Sequence, residues 1–600
     1  MTHSTRINAA DRRDARAAAA APDASGVFTH RQILTILSGL MLGMFLAALD
    51  QTVVSTAIRT IADDLQGYDL QAWATTAFLI TSTIATPLYG KLSDIYGRRG
   101  FYLFAIAVFV VGSALCGIAN SMYELAAFRA LQGIGAGGLM SLALAIIADI
   151  VPPRERSKYQ GYFMAVWGTS SVLGPVIGGF LAGQSSILGL DGWRWIFWIN
   201  VPLGVFAFAV VMRVLHLPHT RRDHRIDWPG ALALVVALVP LLIVAEQGRT
   251  WGWGSGRALL CYVVGALGLI AFVLAERAYK DEAILPLRMF ANRTFSVSSI
   301  SSIVLGAGMF GGILLLPQYL QVVHGSSPTV AGLQMLPLVL GIMTGAMSSG
   351  LTIARTGKYK VFPLVGVVLM VIALASLSFV VEADTSVWTL VPFMVLLGLG
   401  LGFNMQPVIL AVQNAVRPNE MGVATSSVTF FRQMGGTIGV AAFLSILFTT
   451  LPTYIGTAFR EAGLTQIAGS LDLDSVLGDT SQISSAPAAV VNAFKDGFSD
   501  AIGLVFLVAA AVVAVGFFVM LFLPEVPLRN QSGIQAQQSG AGEITGTATG
   551  DETLADDAAR AAGAAAPTSV SPADATGAGD GTRGDGTAVG ERTGGGHHRA

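Results

Sequence analysis

Charge is scarce in this 600-residue chain. Asp, Glu, Lys and Arg make up 12% of it and the net charge is −1, against about 25% charged residues in a typical soluble domain. A balance so close to neutral excludes a nucleic-acid partner. Cysteine is scarcer still: Cys116 and Cys261 are the only two, both in apolar stretches. Two such thiols exclude a disulfide framework and a cysteine zinc site. The eight histidines fall in the tails, in a basic loop at 214–228 and at His324, so no metal site is expected. No Walker loop is present to bind ATP. With no helix-borne ligand cluster or catalytic constellation, a membrane enzyme or receptor is not the expected class.

What the chain has instead is apolar length. Hydrophobic residues are 53% of it. Runs long enough to cross about 30 Å of hydrocarbon recur near 33–58, 72–90, 101–119, 121–149, 159–183, 193–213, 229–246, 258–276, 296–322, 329–353, 361–381, 388–412, 427–448 and 501–523. Asn120 and Ser121 mark a polar turn between the third and fourth. The alternating ten-residue pattern of a membrane barrel is missing. These runs predict an all-α polytopic membrane protein with about fourteen spans. If both termini are cytoplasmic, inner loops carry about eighteen Lys and Arg and outer loops about six, as the positive-inside rule requires.

The segments between the runs divide the chain. Residues 1–30 read as a disordered cytoplasmic leader, 31–214 as a six-helix bundle, 215–294 as a linker with two further spans, and 295–525 as a second six-helix bundle. Within the last, 449–500 is expected to be a long outer loop carrying short helices over the outer face. Residues 526–600, rich in Gly, Ala, Ser, Thr and Asp, cannot bury a core and read as a disordered cytoplasmic tail. A monomer in the lipid bilayer of the cell membrane is expected.

Asp50 is the residue that asks most of its surroundings. It lies within the first apolar run, where a carboxylate costs on the order of 2.5–3.5 kcal/mol and needs a partner, a water-filled cavity or a proton. Arg129 lies in the fourth run. Each sits about eight residues from the outer end of its span, roughly 12 Å deep at 1.5 Å per residue. A guanidinium lowers a nearby carboxylate's pKa and desolvation raises it, so a cycle that alters either can load and release a proton. Further polar anchors in apolar runs are Gln318 and Gln321 on helix nine, Asn404, Gln406 and Gln413 on helix twelve, and Arg432 on helix thirteen. They are the candidates for a cavity that is otherwise apolar, with Met and aromatic contacts.

Two loops repeat. Gly90 to Arg99 reads GKLSDIYGRR, and Gly350 to Lys360 reads GLTIARTGKYK, with Ala354 where the first has Asp94. The spacing fits two parallel six-helix repeats with a site between them near the midplane. The first loop resembles the signature between helices two and three of the major facilitator superfamily. Arg129 with Leu131 to Gly138 resembles that family's fourth-helix motif, and Gly168 to Gly179 its fifth-helix motif associated with antiporters. Leu49 to Val54 and Phe431 to Gly436 resemble signatures of the fourteen-helix drug:proton antiporter branch.

The resemblance covers roughly residues 33–525. It implies the major facilitator fold, two six-helix bundles with two extra helices between them. It implies proton-coupled export of amphipathic, often cationic compounds by alternating access, with the proton gradient as energy source and no cofactor. The alternative within the same fold is export of an endogenous metabolite, lipid or self-made antibiotic. Asp50 and Arg129 would line the central cavity and couple the proton. Gly90, Asp94, Gly97, Arg98, Arg99 and Asp149 would form an inner gate, Arg98 pairing with Asp149 and Asp94 touching the other half. Gly174, Pro175, Gly178 and Gly179 would be the antiporter motif. The string Gly133-x-Gly135-x-x-Gly138 also matches a dinucleotide fingerprint, but no strand precedes it, so it reads as helix packing.

Overall fold

The computed structural model describes residues 28–66, 70–217, 227–464, 487–532 and 535. Among these the long elements are all helices: α1 His30–Asp64, α2 Gln71–Tyr96, α3 Arg98–Cys116, α4 Met122–Ile150 and α5 Pro153–Ala182. After them come α6 Arg194–Val214, α7 Trp228–Trp251, α8 Gly256–Tyr279 and α9 Arg293–Val322. The rest are α10 Thr329–Thr356, α11 Val361–Val380, α12 Val387–Ala415, α13 Met421–Glu461 and α14 Ala488–Leu521. Thirteen are long and apolar enough to cross a membrane. The fourteenth, α2, is 26 residues long, is threaded with Ser and Thr, and packs chiefly on α4.

Local chemistry sets the starts. Thr29 and Gln32 form a capping box at α1, satisfying two backbone donors reciprocally. Ser121 caps α4 in the polar turn, accepting from the Glu124 N–H. Ser255 does the same for α8 and Asn292 for α9.

Helices α1 to α6 build two apolar cores, one around Leu40, Tyr102 and Phe163 and one around Val54, Leu125 and Phe197. Helices α9 to α14, with faces of α7 and α8, build a third. The two sets meet where α2 packs on α13 and α5 packs on α10. Helices α7 and α8 pack on each other, and α7 also touches α2 and α13.

The segment 449–500 departs from the sequence expectation. Its first part continues α13 as far as Glu461, and its last part belongs to α14, which begins at Ala488. Charged residues such as Arg460 and Lys495 end an apolar run without ending a helix. At 41 residues, α13 is about 60 Å long, about twice the hydrocarbon thickness. Phe459, Phe494 and Phe498 bury themselves between the two extensions. Residues 465–486 lie outside the described residues, as do 1–27 of the expected leader and most of the tail.

Where the tail is described, it is docked. Tyr359 donates to the Pro524 carbonyl (2.9 Å), Asn414 to that of Pro527 (3.0 Å), and Arg529 to that of Val416 (2.9 Å). Residues 526–529 therefore belong to the folded body. Carbonyl-based docking leaves no hydrophobic trace in the sequence.

Candidate functional site

Asp50 and Arg129 meet. Arg129 Nη1 lies 2.6 Å from Asp50 Oδ2, and both residues are 1% exposed. Asp50 Oδ1 accepts from Gln132 Nε2 and from Asn200 Nδ2, each at 2.8 Å. Gln132 Oε1 accepts a second bond from Arg129 Nη1 (2.7 Å). Ser113 accepts from both amides. The network joins α1, α3, α4 and α6, with Phe78 of α2 laid against the guanidinium at 4.1 Å.

Ser113, Gln132 and Asn200 carry no assigned role in the sequence reading. The one signal was an amide within an apolar run. The arrangement holds an ion pair out of water with both carboxylate oxygens accepting from donors, which is what a buried pair requires. If Asp50 takes up a proton, Arg129 still has Gln132 Oε1 and the Ala74 carbonyl (3.4 Å) as neutral acceptors. The network can thus lose its negative charge without stranding the guanidinium.

Asp50 does not line the central cavity. That cavity has a volume of about 170 Å³ and lies between the two helix sets. Its walls include Met44, Gln51, Phe78, Trp167, Gln406 and Arg432. Phe78, 3% exposed, forms the partition: one face meets Arg129 and the residue borders the cavity. Of the sequence candidates, Gln406 and Arg432 are on the wall, and Gln318, Gln321, Asn404 and Gln413 are not. Gln321 is exposed at the end of α9. Asn404 Nδ2 turns back to the Gly400 carbonyl at 2.8 Å. Gln413 bridges the two halves instead: it accepts from Arg156 of α5 and donates to the Leu144 carbonyl of α4 (3.3 Å). Gln51 and Gln433, which also border the cavity, were not singled out from sequence.

The loop residues assemble below this cavity, at the end of the bundle rich in Arg and Lys, called here the basic end. Arg98 donates to Asp149 Oδ2 at 2.8 Å and pairs with Asp94. Asp94 Oδ2 in turn accepts from the Val423 N–H at the start of α13 (2.9 Å), which ties one half to the other. Gly97 sits at φ 99°, a conformation open to glycine, and turns the chain from α2 into α3. A side chain on Gly90 would strike Ser426. Arg99 stands apart from this cluster. It is half-buried and donates to the Met212 carbonyl of α6 (2.7 Å), so it braces its own half.

In the second repeat, where Ala354 replaces the aspartate, the cross-half bond runs from Arg154 Nε to the Ala354 carbonyl (3.2 Å). Gly357 keeps the positive φ at 72°. The repeat preserves the turn and substitutes a backbone acceptor for the carboxylate.

Replacing Asp149 by Asn removes the charge that Arg98 faces. Hydrogen bonds to charged groups are worth about 1.5–3 kcal/mol, so the closed basic end should lose population by roughly ten- to a hundredfold relative to an open one. Spin labels at Tyr96 and Leu351, both exposed, report that distance. An unchanged distribution would leave these charges only an orienting role.

The fifth-helix motif faces two ways. A side chain on Gly174 would strike Thr52 of α1, and one on Gly178 would lie 2.8 Å from the Val53 carbonyl. Pro175 and Gly179 face Gly332 and Thr329 at the start of α10. Helix α5 thus rests on α1 just beyond Asp50 and on the other half at the same level. Gly133 and Gly137 pack on α2, and Gly135 and Gly138 on α3, which accounts for the nucleotide-like spacing without a nucleotide.

Comparison with known proteins agrees with this geometry. The profile of the Major Facilitator Superfamily matches residues 40–440. Multidrug resistance protein 3 of Bacillus subtilis is 36% identical over 495 residues, 81% of this chain and 94% of that protein. Multidrug transporter protein MdtP of the same organism is 33% identical over 523 residues, covering 84% and 95%. Among solved structures, the proton:xylose symporter XylE shares the fold with a TM-score of 0.54 at 17% identity, covering 85% of this chain and 99% of its own. The chain is a multi-pass membrane transporter, not an enzyme, and belongs to the major facilitator superfamily.

Proposed function

We propose that this chain exports amphipathic, drug-like compounds across the cell membrane in exchange for protons, with the basic end and both termini cytoplasmic. The observation that carries the reading is the sealed Asp50/Arg129 pair, one phenyl ring from a cavity closed at the basic end. A proton on Asp50 and a compound in the cavity sit on opposite faces of Phe78. Movement of α1 or α2 that opens one compartment therefore alters the other. At about 170 Å³ the cavity is smaller than the roughly 300–1,000 Å³ of drug-sized pockets. A drug-sized compound needs the halves to part, as alternating access does. Relatives named for multidrug resistance and multidrug transport support the substrate class.

To a cation the wall offers the faces of Phe78, Phe163, Trp167 and Phe310 and no carboxylate. The expectation of often cationic substrates rests on those faces alone. The test is transport in proteoliposomes with an imposed pH gradient, using tetraphenylphosphonium, N-phenyl-1-naphthylamine and 8-anilinonaphthalene-1-sulfonate. At least one should accumulate uphill, and a protonophore should abolish it. Movement indifferent to the gradient for every compound overturns proton coupling.

A further inference from the structure

Arg432 is an arginine on the cavity wall with nothing to bind. Among the described residues its guanidinium makes no ion pair and no hydrogen bond. The buried arginines all have partners: Arg98 has Asp94 and Asp149, Arg129 has Asp50, and Arg156 has two carbonyls and Gln413, with its Nε left over. Its backbone is not free to turn away. The Arg432 carbonyl presses on Gly306 of α9, and Gly435, Gly436 and Gly439 pack the same stretch of α13 onto Ile303, Phe310 and Ala307. With that face fixed against α9, the Arg432 side chain is left on the cavity side.

A second group on the same wall is also unpartnered. Gln406 is 3% exposed, and its Oε1 has no hydrogen-bond partner. Its amide nitrogen likewise has none among the described residues. The other polar wall residues, Gln51, Ser82, Thr83, Thr429, Gln433 and Thr437, are neutral. The carboxylate nearest in function, Asp50, is fully engaged with its own network behind Phe78. The cavity therefore carries a formal charge of about +1 inside an otherwise apolar and aromatic wall. An arginine keeps its charge at every physiological pH and presents a planar fork of donors matched to a two-oxygen anion. An uncompensated guanidinium out of bulk water is costly, and an incoming anion relieves that cost.

We infer that the cavity recognises compounds bearing an acidic group, a carboxylate or sulfonate on an aromatic skeleton, with Arg432 gripping the acid and Gln406 donating beside it. This names the charge class of the substrates and rests on the cavity being the transport site. It replaces a cation preference with an anion preference at the same wall. It also has an energetic consequence. One anion out and one proton in move two positive charges inward, so a membrane negative inside drives the exchange together with the pH gradient.

The test separates charge recognition from pumping. N-phenyl-1-naphthylamine and 8-anilinonaphthalene-1-sulfonate share a skeleton and differ by the sulfonate. Binding of each is measured to the full chain in zwitterionic nanodiscs, with empty discs subtracted, for wild type, Arg432→Gln and Arg432→Lys. The Gln variant should weaken the sulfonate by about ten- to a hundredfold and leave the neutral amine within about twofold. The Lys variant should fall between, because it keeps the charge and loses the fork. Equal loss for both probes, or no loss for the sulfonate, overturns the assignment.

If the Gln variant does not fold, wild type decides. Sulfonate binding at least about tenfold tighter than the amine, and weakening with salt, supports the inference, and equal binding with no salt effect overturns it. Failure of both probes to move uphill in proteoliposomes would sink the pump reading and leave this binding ratio intact.

Discussion

Replacing Asp50 by Asn should abolish gradient-driven export. Asn keeps the shape, but its single amide oxygen can accept either from Arg129 or from Gln132 and Asn200, not from all three, and it cannot exchange a proton. The structure adds an effect on stability. Arg129 is 1% exposed with Asp50 as its counter-charge, and removing one member of a buried pair costs about 3–5 kcal/mol. The neutral acceptors Gln132 Oε1 and Ala74 O and the face of Phe78 hold the cost toward the lower end. The single variant should therefore unfold at a lower temperature than wild type and still insert as a helical bundle. The double variant Asp50→Asn with Arg129→Gln removes both charges. It should recover most of the stability and none of the coupling. Thermal unfolding and proteoliposome export on the same preparations separate the two losses. Full uphill export by the Asn variant would place coupling elsewhere, and the cavity wall offers no carboxylate to inherit it.

The contrast between Asp50 and its partners shows what a sequence can reveal of such a site. A lone carboxylate and a lone guanidinium in apolar runs announce themselves, because each is too costly to bury unpaired. Their equal depth could be counted in residues. Ser113, Gln132 and Asn200 were not legible as partners, because amides and hydroxyls are cheap in a membrane helix. Whether they face the pair depends on how four helices are rotated. The same limit explains Asn404 and Gln413: a polar residue in an apolar run shows that it has a partner, not where. Glycine was more informative. Gly97 and Gly357, which recur in register in the two loops, mark turns of positive φ, and Gly133 to Gly138 mark backbone approach. Helix ends were least legible, since α13 and α14 run on as charged, amphipathic extensions well past their apolar stretches.

Arg156 and Gln413 carry the second large effect. Arg156, in a loop-like basic stretch of sequence, reads there as one more orienting charge. In the fold it is fully buried, donating to the Ala148 and Val151 carbonyls of its own half at 2.9 and 3.0 Å and to Gln413 Oε1 across the interface. Gln413 also donates to Thr425 Oγ1 at 2.9 Å. Gln413→Leu strips the buried guanidinium of its acceptor in the other half, and opening the basic end returns Arg156 to water. That change should weaken closure by about 1.5–3 kcal/mol, roughly a ten- to hundredfold shift toward the open state. The distance between labels at Tyr96 and Leu351 should lengthen accordingly. Adding Arg156→Met to Gln413→Leu replaces the polar bridge with apolar contact, which is often neutral or stabilising once both partners are gone. The double variant should close again, so the two substitutions are strongly non-additive. Equal opening in the single and double variants would mean that the polar bridge itself is needed for closure, and no opening in either would leave Arg98, Asp94 and Asp149 as the contacts that hold the basic end shut.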